Sequence, residues 1–197
     1  MTYAKDEVKK SSAAGNAVMY LHDLVYMLAV ILVLFLLIFR IIVVSGSSMK
    51  ATLVDGDYLL LLSNIFYSEP EQGDIVVVST KNYENGKPLV KRVIATEGQT
   101  VDIDFELGVV YVDGEALEEP YVYTPTNVAE GAVFPQTVEP GHVFVMGDNR
   151  NNSKDSRSSA IGQIDTREIL GRVFFLGIPG TDYGNSSRSI RRIGLVS

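Results

Sequence analysis

The sequence predicts an all-β domain of packed antiparallel sheets preceded by one N-terminal transmembrane helix. Three observations carry this expectation. An uncharged apolar run, LVYMLAVILVLFLLIF, occupies residues 24 to 39. After residue 45 the pattern changes to short runs rich in Val, Ile, Leu, Phe and Tyr, separated by Gly, Asp, Asn and Pro. No later segment sustains a 3.6-residue apolar period.

From the N-terminus, MTYAKDEVKKSSAAGNA reads as a polar, loosely helical lead-in, and residues 1–23 as a cytoplasmic segment. His22 and Asp23 fall at the membrane boundary as interfacial polar residues. Residues 24–44 form the predicted transmembrane helix, since the run through Val44 approaches the roughly 20 residues that span a bilayer core. Arg40 is tolerable there because its long stem can reach the interface. A secretory signal peptide has a shorter apolar core of about 7–15 residues, so length favours a retained anchor. Lys5, Lys9 and Lys10 precede the run, whereas Arg40 and Lys50 follow it closely, which places the N-terminus in the cytoplasm and residues 45–197 outside it.

In the remainder, DYLLLLS, DIVVVST, PLVKRVIAT, TVDID, VVYVDG, HVFVMG and GRVFFLGI are expected strands. Asp113-Gly114 is a hairpin turn, because both positions suit residues that accept positive φ. Glu118 to Pro140, with four prolines, reads as a long irregular excursion. Arg188, Arg191 and Arg192 read as a solvated basic tail.

Composition excludes several functions. The net charge is -7, and most of the acid lies beyond residue 45, which argues against nucleic-acid binding. The absence of cysteine removes a thiol nucleophile, a disulfide frame and a cysteine-based zinc site. No metal or organic cofactor is expected.

Four polar clusters interrupt the strands: SGSSMKATL at 45–53, GDIVVV at 73–78, LVKRVIATEGQTV at 89–101 and GDNRNNSKDSR at 147–157. Taken singly, each has an ordinary reading as a turn, a solvated strand face or a polar loop. Lys91 is more pointed. Period-two alternation puts Leu89, Lys91 and Val93 on one face, so one of Lys91 and Arg92 must look toward the apolar side. A lysine at its reference pKa is neutral at pH 7 only about once in a few thousand. Apolar burial can lower that pKa, and a serine beside a neutral amine has the partner that nucleophilic catalysis needs.

Together, in this order and behind an anchor, the clusters resemble the bacterial type I signal peptidases, membrane-bound serine proteases with a Ser-Lys dyad. The resemblance covers nearly the whole chain. It implies that Ser48 is the nucleophile and Lys91 the general base, and that Ser153 hydrogen-bonds and orients the lysine. Asp155 and Arg157 match an ion pair that steadies the loop, with Asp148, Asn149 and Arg150 in the same cluster. Gly46 stands in the oxyanion turn, where some Gram-negative members carry a serine, and matches Gram-positive relatives. Ala51 replaces the usual proline. The implied substrates are preprotein signal peptides cut after small residues, typically Ala-x-Ala, at the outer membrane face. By position, Ile42, Val44, Met49, Leu53, Leu59 and Val90 are candidate pocket residues, and membrane lipid is the implied partner.

Three rivals remain open. The self-cleaving repressor family also pairs Ser with Lys on a β fold but lacks an anchor. Signal peptidases with a histidine base would need His in place of Lys91, and His142 lies in a different stretch. An anchored β-domain that only binds would leave Ser48 and Lys91 apart.

Overall fold

The computed structural model describes residues 3–181 and 189–196, and within the N-terminal helix its side chains from residue 16 on. The chain divides into two compact units, residues 1–38 and 39–197.

The first unit is one α-helix, α1, Tyr3–Ile38. Its segment Asn16–Ile38, 23 residues, is long and apolar enough to cross a membrane by length and composition. The helix ends earlier than the expected Val44. Phe39–Val43 is a strand, β1, paired residue for residue with β2, Tyr58–Ser63, from Phe39↔Leu62 to Val43↔Tyr58. An apolar run does not declare where helix gives way to strand. Here the β-branched Ile41-Ile42-Val43 and a waiting ladder partner decide it. Arg40 is accordingly an exposed strand residue opposite Leu61, not the end of a membrane helix.

The second unit is built from antiparallel strands, as the sequence predicts. They are β3 (Ile75–Val78), β4 (Leu89–Thr96), β5 (Thr100–Asp104), β6 (Val109–Val112), β7 (Glu115–Ala116), β8 (Gln136–Thr137), β9 (His142–Met146), β10 (Ile164–Asp165), β11 (Ile169–Ile178) and β12 (Gly194–Leu195). The larger sheet runs β1-β2-β11-β3-β4-β9-β10, with β12 added on β11, and the smaller runs β7-β6-β5-β8. Asp113 and Gly114 both have positive φ, 54° and 83°, and close the β6–β7 hairpin where Val112 pairs with Glu115.

The β3 and β4 strands sit between neighbours and are buried on both faces, so Ile75 to Val78 read as a continuous apolar run instead of alternating. One core cluster fills the space under the Ser48 turn with Met49, Leu53, Leu59, Leu61, Ile75 and Val77. Others lie between β4, β9 and the smaller sheet, around Phe144 and Val110, and beneath β10, around Val145 and Ile164.

Candidate active site

Ser48 sits on a tight turn between β1 and β2. The turn can form because Gly46 supplies φ +100°, a conformation other residues rarely adopt, and its amide donates to Asp55 Oδ1 at 2.8 Å. Met49 and Leu53 then plunge into the core, 1% and 0% exposed, and Leu53 N–H donates back to Met49 O at 2.8 Å. Ala51 is exposed, and the turn closes without a proline ring.

Lys91 comes from the middle of β4. Its Nζ lies 2.7 Å from Ser48 Oγ and 3.0 Å from Val90 O. The residue is 1% exposed. Burial pulls its pKa down to about 8, against the opposing fields of Asp155 and Asp148. The site therefore holds an amine that is neutral about one time in ten at pH 7, touching a hydroxyl.

Arg92 is buried as well, where the sequence expectation sent only one of the pair inward. The β4 strand has neighbours on both edges and core on both faces, so alternation assigns each side chain a side without exposing either. The Arg92 guanidinium donates twice to Asp148, at 3.0 and 2.9 Å, and once to Gly73 O. It also stacks on the Tyr121 ring, 3.9 Å from the centroid. Asp148 in turn accepts from Thr52 Oγ1 at 2.5 Å, so the strand that carries Lys91 and the Ser48 turn share one carboxylate.

The loop 147–157 locks the arrangement. Asn149 N–H donates to Ser48 O at 3.0 Å and its side-chain amide to Ser47 O at 3.1 Å. Asp155, wholly buried, takes two hydrogen bonds from the Arg157 side chain and one from Gly147 N–H. Burial alone would raise the Asp155 pKa, but the Arg157 guanidinium outweighs it and holds the carboxyl below its usual value. Arg157 also reaches Arg150 O and Val128 O. Arg150 is held by Glu119 and Thr126 from the proline-rich excursion, which thereby becomes part of the site's frame.

Ser153 departs from expectation. It lies in the wall of the same cleft as Lys91, but its Oγ makes no well-formed hydrogen bond among the described residues and instead stands near the Asp155 carboxylate, whose pKa it helps to lower. The hydroxyl is packed against Gly147, where a Cβ would meet it at 2.3 Å, and Lys91 Nζ donates to Ser48 Oγ and Val90 O instead.

A cleft of about 790 Å³ opens beside the Ser48–Lys91 pair. Ile42, Val44, Met49 and Val90 line it as the sequence suggested. Leu53 and Leu59 do not: both are core residues behind the wall, drawn inward by the turn and by the inner face of β2. Sequence reasoning missed Asn152, whose amide donates to Ser47 Oγ at 3.0 Å, together with Thr52, Glu119 and Gly147. Asn152 and Gly147 stood inside the quoted loop motif, and their types carried the signal, an amide donor and a residue with no side chain. Among the described residues no group of three or more His, Cys, Asp or Glu is placed to hold a metal ion.

The family described as "Signal peptidase, peptidase S26" matches residues 17–177. The chain is 38% identical over 148 residues to a probable signal peptidase I-1 of Synechocystis sp., covering 72% of each chain. It is 34% identical over 191 residues to a signal peptidase I of Bacillus licheniformis, covering 91% of this chain and 96% of that one. A crystal structure of a signal peptidase I from Enterococcus faecalis V583 aligns at 29% identity with a TM-score of 0.42, covering 53% of this chain and 96% of that one.

Proposed function

The chain belongs to the signal peptidase family, peptidase S26, and we propose that it removes signal peptides from exported preproteins with Ser48 as nucleophile and Lys91 as general base. The observation that carries the residue assignment is the 2.7 Å contact between Ser48 Oγ and the Nζ of a lysine that is 1% exposed.

Neutral Lys91 takes the Ser48 hydroxyl proton as Oγ attacks the scissile carbonyl carbon. The proton passes to the departing amine, leaving an acyl ester on Ser48. Lys91 then takes a proton from water, whose oxygen attacks the ester, and returns it to Ser48 Oγ as the ester C–O bond breaks; the carboxylic acid released loses its proton to solvent. The Ser48 carbonyl accepts from Asn149 N–H, which fixes the turn, and the Ser48 amide would serve as the main oxyanion donor. Ile42, Val44, Met49 and Val90 would limit the cleft to small side chains, because a large one clashes with walls backed by packed core.

The helix Asn16–Ile38 supports membrane anchoring. We place residues before it in the cytoplasm and the β domain, from Phe39, outside, on the lysines at 5, 9 and 10. The anchored domain would then meet a signal peptide as it emerges, in contact with lipid and not with nucleic acid. Ser48→Ala and Lys91→Ala should each abolish cleavage of a signal-peptide-bearing preprotein in lipid vesicles while keeping the fold. Processing by either variant at the wild-type rate would refute the assignment.

A further inference from the structure

The basic tail, expected to be solvated, is docked in the described part. Arg188 lies outside the described residues and Arg191 is exposed, but Arg192 reaches into the domain. Its Nη1 and Nη2 donate to the two oxygens of Asp57 at 2.9 and 2.6 Å, and Nη2 also donates to Thr52 O at 3.2 Å. Asp57 is 0% exposed, and its carboxylate also accepts from Val54 N–H and Gly180 N–H. The backbone on either side of Arg192 is fixed too. Ile193 N–H closes a 3-10 turn onto Ile190 O, and Gly194 and Leu195 pair with Leu176 and Phe175. That pairing uses the edge of β11 which β3 leaves after Arg172↔Val76. Val196 packs on the core cluster that contains Met49 and Leu53.

We propose that Arg192 is a positioning residue for the cleavage reaction: the C-terminal tail clamps the distal end of the Ser48 turn through Asp57 and the Thr52 carbonyl. Thr52 is held at both ends. Its hydroxyl binds Asp148, which binds Arg92 beside Lys91, and its carbonyl binds Arg192. The Ser48 turn is thus gripped from the base-bearing strand on one side and from the tail on the other. A bidentate guanidinium suits this task because its planar fork fixes direction as well as distance. Removing it frees the second half of the turn, and a displacement of the nucleophile by a fraction of an ångström is felt in turnover far more than in binding.

The inference rests on the assignment of Ser48 as nucleophile, so its test has two readouts. In the full chain in lipid vesicles, Arg192→Ala should lower kcat roughly tenfold with little change in KM. It should also speed amide hydrogen exchange at Leu53 and Val54. Arg192→Lys should restore part of both, and Arg191→Ala should behave as wild type. Exchange at 53–57 and kcat that are both unchanged in Arg192→Ala would overturn the clamp, as would an equal loss in Arg191→Ala. If Arg192→Ala fails to fold, Arg192→Lys decides by the same two measurements. Exchange reports the clamp whether or not Ser48 is the nucleophile, and cleavage by Ser48→Ala reports the nucleophile whether or not the clamp exists.

Discussion

Lys91 and Arg92 are adjacent in one strand, both at most 2% exposed, and they hold opposite kinds of partner: Lys91 meets a neutral serine hydroxyl, and Arg92 grips a carboxylate. The arginine's charge is compensated within hydrogen-bond distance and the lysine's is not. One strand therefore supplies a permanent cation that organises the site and, next to it, a cation that is easily discharged.

That contrast has a cost in stability. The folded Lys91 pKa, about 8, lies below its ordinary value of 10.5, so between these values the unfolded chain holds a proton that the folded chain does not. Stability then rises with pH across this window, and below about pH 8 the penalty is fully present, on the order of 3 kcal/mol. Lys91→Met should lose cleavage yet melt at higher temperature than wild type at pH 7, with the difference shrinking toward pH 10. Thermal melts across that range measure it.

With Lys91 as the proposed base, the same group would set the pH dependence of cleavage. kcat/KM should rise with unit slope from acid pH and level off above about 8, because only the neutral amine accepts the Ser48 proton. A profile flat from pH 6 to 9 would exclude Lys91 as the base.

Gly147 is a sharp steric test. A methyl group there would stand 2.3 Å from Ser153 Oγ and 2.5 Å from the Ser48 carbonyl oxygen. The hydroxyl can rotate away, but the carbonyl is backbone and moves only with the Ser48 turn. Gly147→Ala should reduce kcat by about a hundredfold or more with a far smaller change in binding of an uncleavable signal peptide, read by steady-state cleavage and direct titration.

Arg157→Lys keeps a charge and loses the fork. Bonds to Asp155, Arg150 O and Val128 O cannot all be remade by one ammonium group. The variant should be destabilised by roughly 3 kcal/mol or more and lose activity in proportion, as measured by denaturant unfolding alongside cleavage.

Much of this was visible in the residues. The strands β2, β3 and β9 were legible because β-rich runs were cut by Gly and Asp, and the Asp113-Gly114 turn because few residues tolerate its φ values. The boundary at Ile38 was not legible, since Phe39–Val43 continues the apolar run apart from Arg40, and its β-branched residues become a strand only with the β2 ladder beside them. Leu53 and Leu59 could not be told from cleft residues by type, because wall and core are both aliphatic. Arg192 was hidden for a different reason. Its partner Asp57 is 135 positions away, and nothing local marks an arginine as spoken for.

Sequence distance bears on when the enzyme becomes an enzyme. Ser48 and Lys91 are 43 positions apart, Thr52 and Asp148 are 96, and Ser47 and Asn149 are 102. No short stretch of the chain contains a working fragment of the site. Such contacts form only after long loops have closed, which folding pays for last. A half-made or partly unfolded copy is therefore expected to be inert toward neighbouring polypeptides, and proteolytic power to arrive together with the finished fold.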